Sequence, residues 1–139
     1  MKYLLDTCVL SELVKSKPDP KVVNWVDTQA EESLFISSIT LAELLKGIAR
    51  LQDSHRKTAL TEWVSKIRAE MADRVLPFES STAEYWASMC ATAEKSGTPL
   101  SAFDSMIAAT ALEHGLVIAT RNTRDFEAAP IMLVNPWLE

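Results

Sequence analysis

The chain has 139 residues, of which 47% are hydrophobic, and it carries a net charge of −5 at pH 7. A chain of this length and composition is expected to fold as a single domain, residues 1–139, with a sizeable core. No apolar stretch approaches the roughly 20 residues of a membrane span, and an acidic residue follows the first apolar run too early for a signal peptide. The two cysteines form neither a disulfide framework nor a metal-ligand spacing, so we expect a reducing, cytoplasmic environment.

Short apolar segments alternate with segments of helical period along the chain. We predict strands at residues 3–6, 34–37, 74–78, 116–120 and 131–134. Helices are predicted at 11–15, 20–29, 82–95 and 102–114, and apolar stripes at 41–48 and 60–71 indicate two more. Strands separated by helices favour an α/β fold, with a central, mostly parallel sheet of four to five strands covered on both faces. Only three glycines occur, which excludes a glycine-rich phosphate loop.

Charge is distributed unevenly along the chain. Residues 46–74 hold seven lysines and arginines against four acids, whereas the rest holds seven against fifteen. The negative net charge argues against a nucleic-acid partner, but a local basic surface is compatible with contact to a phosphate backbone. An ordinary solvated helix face explains the same pattern, so both interpretations stay open.

Three acids, Asp6, Glu43 and Asp104, lie where an apolar run ends or a helix begins. Carboxylates at equivalent ends of elements can converge in the crevice beyond the carboxyl ends of parallel strands. Converging carboxylates without lysine partners repel one another and need a cation. The set therefore favours a hard divalent ion and phosphate chemistry.

Helix capping is the alternative explanation for two of these acids. Three segments have the form of a capping box, namely Thr40-Leu41-Ala42-Glu43, Ser101-Ala102-Phe103-Asp104 and Ser81-Thr82-Ala83-Glu84. Asp104, however, shares a helical stripe with Ile107 and Ala108, so we expect it to face inward, where an unpaired carboxylate is costly. Gly47, one turn after Glu43, predicts open space beside that carboxylate.

A polar cluster, Thr120-Arg121-Asn122-Thr123-Arg124-Asp125-Phe126, follows the fourth predicted strand. Its position again places polar groups beyond the carboxyl end of a strand. A hydrogen-bonded loop with an Asx-turn at Asn122 or Asp125 would explain the same residues.

Together these motifs resemble those of PIN-domain ribonucleases, and more narrowly the VapC/FitB-type toxins of bacterial toxin–antitoxin pairs. The resemblance spans the whole chain and is carried by Leu4-Leu5-Asp6-Thr7, Ala42-Glu43-Leu44, Asp104 with Ile107-Ala108-Ala109-Thr110-Ala111, Thr120-Arg121-Asn122, Asp125-Phe126 and Asn135-Pro136-Trp137. It implies a three-layer α/β/α PIN domain with metal-dependent endoribonuclease activity. It also implies an RNA substrate, a homodimer and inhibition by a cognate VapB-like antitoxin.

The family's first three acids match Asp6, Glu43 and Asp104, which the resemblance makes the catalytic residues. It implies that they hold Mg²⁺, for which Mn²⁺ can substitute, with Glu43 bound directly or through water. The family's fourth acid falls on Asn122, so either Asn122 or Asp125 becomes the auxiliary ligand.

Substrate positioning is assigned by the same resemblance to Thr120, Arg121 and Asn122. Cys8 stands where the family usually has asparagine, so the polar support of that side chain is expected to be lost. We expect Glu12 to face solvent on its helix, and a further carboxylate near the site is the alternative. The departures at Cys8 and Asn122 leave one alternative open, a catalytically degenerate PIN-like module that binds RNA or protein.

Four tryptophans, Trp25, Trp63, Trp86 and Trp137, supply more aromatic mass than a small sheet must bury. Core packing explains most of it, but some could line a groove for an antitoxin helix or a dimer interface.

Overall fold

Five short strands alternate with six helices, as the periodicity predicts. The computed structural model describes all residues from Met1 to Glu139. The strands are β1 (Tyr3–Leu5), β2 (Leu34–Ser37), β3 (Val75–Leu76), β4 (Val117–Ala119) and β5 (Leu133–Val134). The helices are α1 (Thr7–Leu13), α2 (Pro20–Thr28), α3 (Ser38–Ala49), α4 (His55–Met71), α5 (Ser80–Lys95) and α6 (Ala102–His114). None of the helices has both the length and the apolar character needed to cross a membrane.

The sheet is parallel throughout, with the order β3-β2-β1-β4-β5. The chain leaves the central strand β1 toward β2 on one side and later returns to β4 on the other. This reversal creates a crevice between the carboxyl ends of β1 and β4, which is where ligands bind in open α/β sheets. Asp6 directly follows β1 and Thr120 directly follows β4, so both residues border the crevice.

Helices cover both faces of the sheet, which confirms the three-layer α/β/α architecture. Leu4 and Leu5 are successive residues of β1, so they point to opposite faces. Leu5 joins a core formed with α1, α2, α3 and α4, and Leu4 joins a second core formed with α5 and α6. The central strand is therefore buried on both sides and holds Asp6 in a rigid frame.

Two predicted boundaries differ from the structure for local reasons. The strand expected at 74–78 shrinks to Val75–Leu76 because Pro77 has no N–H to donate to a neighbouring strand. The first helix begins at Thr7 rather than Ser11, since Asp6 occupies its N-cap position and accepts a hydrogen bond from the Thr7 amide at 2.9 Å. Thr7 and Cys8 therefore lie on the first turn of α1.

The capping boxes predicted at Glu43 and Glu84 are wrong. Ser37 caps α3 by accepting from the amides of Ile39 and Thr40. Glu79 caps α5, and its amide donates to the hydroxyl of Thr82 at 3.1 Å. Each cap lies upstream of the predicted one, which leaves the Glu43 side chain available for other contacts.

The third predicted box, Ser101–Asp104, lies at the correct N-cap but has a different hydrogen bond. The Ser101 hydroxyl donates to Asp104 Oδ2 at 2.7 Å instead of accepting from the helix amides. The predicted bounds of α6 are correct, and the helix ends at Gly115, whose φ of +65° is the left-handed conformation that favours glycine.

Candidate active site at the carboxyl end of the sheet

Asp6 is the buried acid of the crevice, with 7% of its surface exposed. Its Oδ2 accepts a hydrogen bond of 2.7 Å from the Thr120 hydroxyl. That hydroxyl in turn accepts one of 3.0 Å from the backbone N–H of Asn122. Its Oδ1 accepts from the Thr7 amide. Both oxygens are thus held in place, yet each retains lone-pair capacity for a further partner.

Glu43 reaches the same crevice from α3. Its Oε1 accepts a hydrogen bond of 2.8 Å from the Thr7 hydroxyl, directly beside Asp6. Burial raises the pKa of the Glu43 carboxyl, and the negative charges of Asp6 and Asp104 raise it further, while the Thr7 hydrogen bond opposes the shift. Glu43 is therefore part of the acidic cluster.

Asp104 enters from the first turn of α6 and is half-buried, in line with the inward orientation expected from its stripe. Burial raises the pKa of the Asp104 carboxyl, and the charges of Asp6 and Asp125 add to the rise against the Ser101 hydrogen bond. The structure therefore brings together the three predicted acids from β1, α3 and α6. The charge of Asp125, on the 3₁₀ turn Thr123–Phe126, also acts on Asp104.

The donor set of this cluster suits a hydrated hard cation. None of the five salt bridges of the protein involves Asp6, Glu43 or Asp104, so no lysine or arginine neutralises them. No three Asp, Glu, His or Cys side chains approach closely enough to ligate one ion by themselves. Mg²⁺ tolerates such a site, because it usually keeps several waters and takes only one or two protein carboxylates.

The residues predicted to position substrate differ widely in exposure. Thr120 is fully buried, so its hydroxyl orients Asp6 and the following turn and does not face solvent. Arg121 and Asn122 are exposed, and the Asn122 side chain makes no hydrogen bond within the protein. Asp125 is also exposed. Of these residues, Arg121, Asn122 and Asp125 can therefore touch a large substrate directly.

Cys8 supplies contacts that sequence reasoning missed. Its Sγ lies 3.7 Å from Asp6 Oδ2 and 3.5 Å from the Thr120 hydroxyl, and it accepts from the Arg121 amide at 3.4 Å. Burial raises the pKa of the Cys8 thiol, so the neutral form is favoured. The expectation that polar support is lost here is wrong, because a thiol is still a weak donor and acceptor.

A groove of about 860 Å³ opens from Thr7 and Glu43 between α1, α3 and α4. Its floor is apolar and includes Leu44, Ile48, Leu60 and Trp63, while Lys15, Lys17 and Arg56 supply positive charge. Apart from its chain neighbours and the backbone of α3 itself, no atom lies within 4 Å of the position that a Gly47 Cβ would take, which confirms the open space predicted beside Glu43.

The tryptophans divide between core and surface. Trp137 is 7% exposed, and Trp25 packs edge-on against Tyr3 with ring centres 4.9 Å apart. Trp63 lines the groove and Trp86 is 38% exposed. Because Trp63 also packs against the core, core packing involves three of the four tryptophans, in line with the simpler explanation.

Known proteins resemble this chain over nearly its whole length. The PIN domain family matches residues 3–131. The VapC ribonuclease Y4jK of Sinorhizobium fredii is 42% identical over 135 residues, which cover 96% of each chain. Toxin FitB of Neisseria gonorrhoeae is 40% identical, covering 96% of this chain and 97% of FitB. In the crystal structure of FitAcB from N. gonorrhoeae, a chain that is 40% identical aligns with a TM-score of 0.92 over 97% of this chain and 98% of that one. The chain therefore belongs to the PIN domain family and, within it, to the VapC/FitB group of toxin–antitoxin ribonucleases.

Proposed function

We propose that the protein is a Mg²⁺-dependent endoribonuclease that acts as the toxin of a type II toxin–antitoxin pair. The observation that carries the proposal is the gathering of Asp6, Glu43 and Asp104 at the sheet's switch point without a cationic partner. Membership of a group that includes named ribonucleases supports RNA as the substrate. We propose that Mn²⁺ can replace Mg²⁺, since both favour oxygen ligands.

The three acids divide the work of holding the cation. Asp6 and Asp104 supply ligand oxygens, and Glu43 binds directly or through water. When bound, the cation stabilises charge that develops on the phosphoryl oxygens and makes a water molecule more nucleophilic. Thr120 and Thr7 keep Asp6 and Glu43 oriented through their hydroxyl groups. Pre-oriented ligands reduce the reorganisation that catalysis requires.

The 3₁₀ turn completes the site on its solvent side. Asn122 or Asp125 extends the oxygen donor set, in place of the acid that the family usually carries. Arg121 and Asn122 contact the phosphate backbone of the RNA. Because Asn122 is neutral, the site carries less negative charge around the scissile phosphate than a site with a fourth acid.

The partner we propose is a cognate VapB-like antitoxin, in a protein that forms a homodimer and works in the cytoplasm. The groove next to Glu43 combines an apolar floor with positive charge, which suits an amphipathic, acidic segment. A segment seated there would block access to the acids. Sedimentation of the purified protein tests the dimer, and a monomer at high micromolar concentration would remove that part of the proposal.

The decisive experiment is an RNA cleavage assay with Asp6→Asn and Asp104→Asn proteins whose circular dichroism matches wild type. Replacing an outer-shell partner of a metal typically costs about 10–100-fold, so losing a ligand should cost at least about 100-fold. Asp73→Asn is the matched control, since Asp73 is exposed and precedes β3 at the opposite end of the sheet. Cleavage at the wild-type rate by either variant would overturn the assignment.

The catalytically degenerate module is distinguished by the same proteins. A wild-type chain that binds RNA but takes up no Mn²⁺ in a calorimetric titration would be a binding module. Uptake of Mn²⁺ that Asp6→Asn abolishes supports the nuclease.

A further inference from the structure

Arg121 is held at its backbone and at the tip of its side chain by residues outside the acidic cluster. Its amide donates to Cys8 Sγ at 3.4 Å, and its guanidinium carbon lies 5.1 Å from the centre of the Trp137 ring. A guanidinium within about 6 Å of an indole face is attracted by the ring's negative surface. An exposed arginine would otherwise sample many rotamers, so this contact limits where its charge lies.

The Glu12 carboxylate lies near the same guanidinium. The sequence favoured a solvent-facing Glu12, but the residue is 6% exposed and accepts hydrogen bonds of 2.9 Å from Lys15 Nζ and from the Asp19 amide. These bonds, and to a smaller extent the charge of Arg121, hold the pKa of Glu12 below its usual range. Glu12 attracts Arg121 through its charge, although the two side chains form no salt bridge.

The direction of the Arg121 side chain follows from α1. Cys8 and Glu12 are four residues apart, so they share one face of the helix, separated by about one turn of 5.4 Å. The side chain of Arg121 starts beside Cys8 and runs along this face toward Glu12 and Trp137. Its charge acts on Glu12, and it forms no salt bridge with Asp6, Glu43 or Asp104.

Trp137 is a fixed platform for this arginine. The ring is buried in the core that also contains Leu5 and Ala119, and its amide donates to Asn135 Oδ1 at 2.9 Å. The Arg121 guanidinium makes no hydrogen bond or salt bridge within the protein, so its donors remain free. A planar guanidinium with free donors binds a phosphate through two parallel hydrogen bonds.

We infer that Trp137 is a positioning residue that holds the Arg121 side chain against the surface of α1. In that position the guanidinium binds the RNA phosphate next to the scissile one. The inference rests on the proposed ribonuclease function. Because the contact is to a neighbouring phosphate, it contributes to RNA affinity and not to the rate of cleavage of bound RNA.

The test measures binding of a mixed-sequence, single-stranded 12-mer RNA by fluorescence anisotropy in EDTA, over a range of KCl concentrations. Arg121→Ala should lower the slope of log Kd against log salt by about 0.7, the value for one phosphate contact on a single strand. Trp137→Leu should raise Kd about 2–5-fold, which is the size of an exposed cation–π contact, while Trp137→Phe should keep most of the affinity. Saturating RNA and Mn²⁺ should give the two Trp137 variants the wild-type kcat within about twofold, as expected for a change in uniform binding.

Two matched variants separate a specific contact from general charge and from folding. Arg124→Ala removes the same charge three residues further along the chain, and it should change Kd less because no ring lies against Arg124. Arg121→Lys keeps the charge and folds as a surface variant, but it lacks the planar group. It should retain the wild-type salt slope and raise Kd as much as Trp137→Leu does.

Three results would overturn the inference. One is equal loss of affinity in Arg121→Ala and Arg124→Ala. Another is a Trp137→Leu effect that is undiminished in an Arg121→Ala background, which would show that Trp137 acts independently. The last is wild-type affinity in Arg121→Lys, which decides the question even if Trp137→Leu does not fold. Failure of the nuclease proposal would appear separately, as a wild-type chain that binds this RNA but does not cut it in Mn²⁺.

Discussion

Two buried threonines should respond in opposite directions to the same substitution. Thr120 and Thr40 are both fully buried, and valine has nearly the shape of threonine without the hydroxyl. The Thr120 hydroxyl donates to the Asp6 carboxylate and accepts from the Asn122 amide. The Thr40 hydroxyl has no hydrogen-bond partner. Any difference between the two variants therefore reports the partners of the hydroxyl and not the change of side chain.

The expected magnitudes follow from these partners. A hydrogen bond to a charged group contributes about 1.5–3 kcal/mol, and the Asn122 amide also loses its acceptor, so Thr120→Val should cost about 2–4 kcal/mol. For a chain of this length that corresponds to a fall in Tm of roughly 8–16 °C. Thr40→Val removes an unpaired buried hydroxyl and should stabilise the protein by about 1–3 kcal/mol.

Thermal and urea unfolding, followed by circular dichroism at pH 7.5 in EDTA, measure both changes. Thr110→Val is a control, since the Thr110 hydroxyl bonds only the Met106 carbonyl of its own helix. Thr120→Val should also weaken Mn²⁺ binding about 10–100-fold, because Asp6 loses the group that orients it. A Thr120→Val protein within about 0.5 kcal/mol of wild type would refute this reasoning, since that is the range of ordinary surface substitutions. A Thr40→Val protein that is less stable than wild type would contradict the predicted gain in stability.

Further predictions concern the charge of the acidic cluster and two glycines. The raised pKa values of Glu43 and Asp104 mean that these two groups bind more protons in the folded, metal-free protein than in the unfolded chain. The stability these groups contribute is present below their ordinary pKa and is lost as pH rises through the raised values. Glu43→Gln should therefore raise the metal-free Tm at pH 7.5 and not at pH 3.5; equal shifts at both would contradict this. Mn²⁺ at a hundredfold excess over Kd should stabilise the wild type by about 2.7 kcal/mol at pH 7.5 and by less at pH 4.5, and EDTA should reverse the effect. A stabilisation by Mn²⁺ that does not change with pH would place the ion elsewhere. Gly115→Ala should cost about 1 kcal/mol because of its left-handed φ, whereas Gly47→Ala, in open space within α3, should gain about 0.5–1 kcal/mol in the same urea titration. The opposite order would contradict the backbone argument.

The fold was predictable because its signals are local and repeated. The Ser101 and Gly115 boundaries of α6 could be read from the chain, and short apolar runs marked all five strands. The edge strand β3 is shorter than predicted because of Pro77, a signal that the sequence contains. The length of β5 is decided by its pairing with β4, which the sequence alone does not show.

The candidate site was predictable as a set of positions but not as a set of contacts. Asp6, Glu43 and Asp104 were identified because each lies at the end of an apolar run or the start of a helix. The hydrogen bond from Thr7 to Glu43 joins residues 36 positions apart, and no local pattern contains it. The capping prediction failed at Glu43 because Ser37 caps α3 three residues before Thr40, so Thr40 and Glu43 lie inside the helix.

Glu12 is a second case in which the sequence does not reveal the contacts of a side chain. Its place on a short polar helix favoured a solvent-facing side chain, but the loop that brings the Asp19 amide to it makes burial possible. A buried carboxylate is tolerated where a lysine and an amide satisfy its oxygens. Such partners depend on how the chain returns, which composition and period do not reveal.

Diffraction from crystals of the wild-type protein soaked in Mn²⁺, recorded at the manganese edge, tests the central claim most directly. We predict one anomalous peak in the crevice between β1 and β4, within ligand distance of Asp6 and bordered by Glu43 and Asp104, and no peak there in Asp6→Asn crystals. A protein that cuts RNA in Mn²⁺ but shows its peak elsewhere, or keeps the peak in Asp6→Asn, would contradict the account.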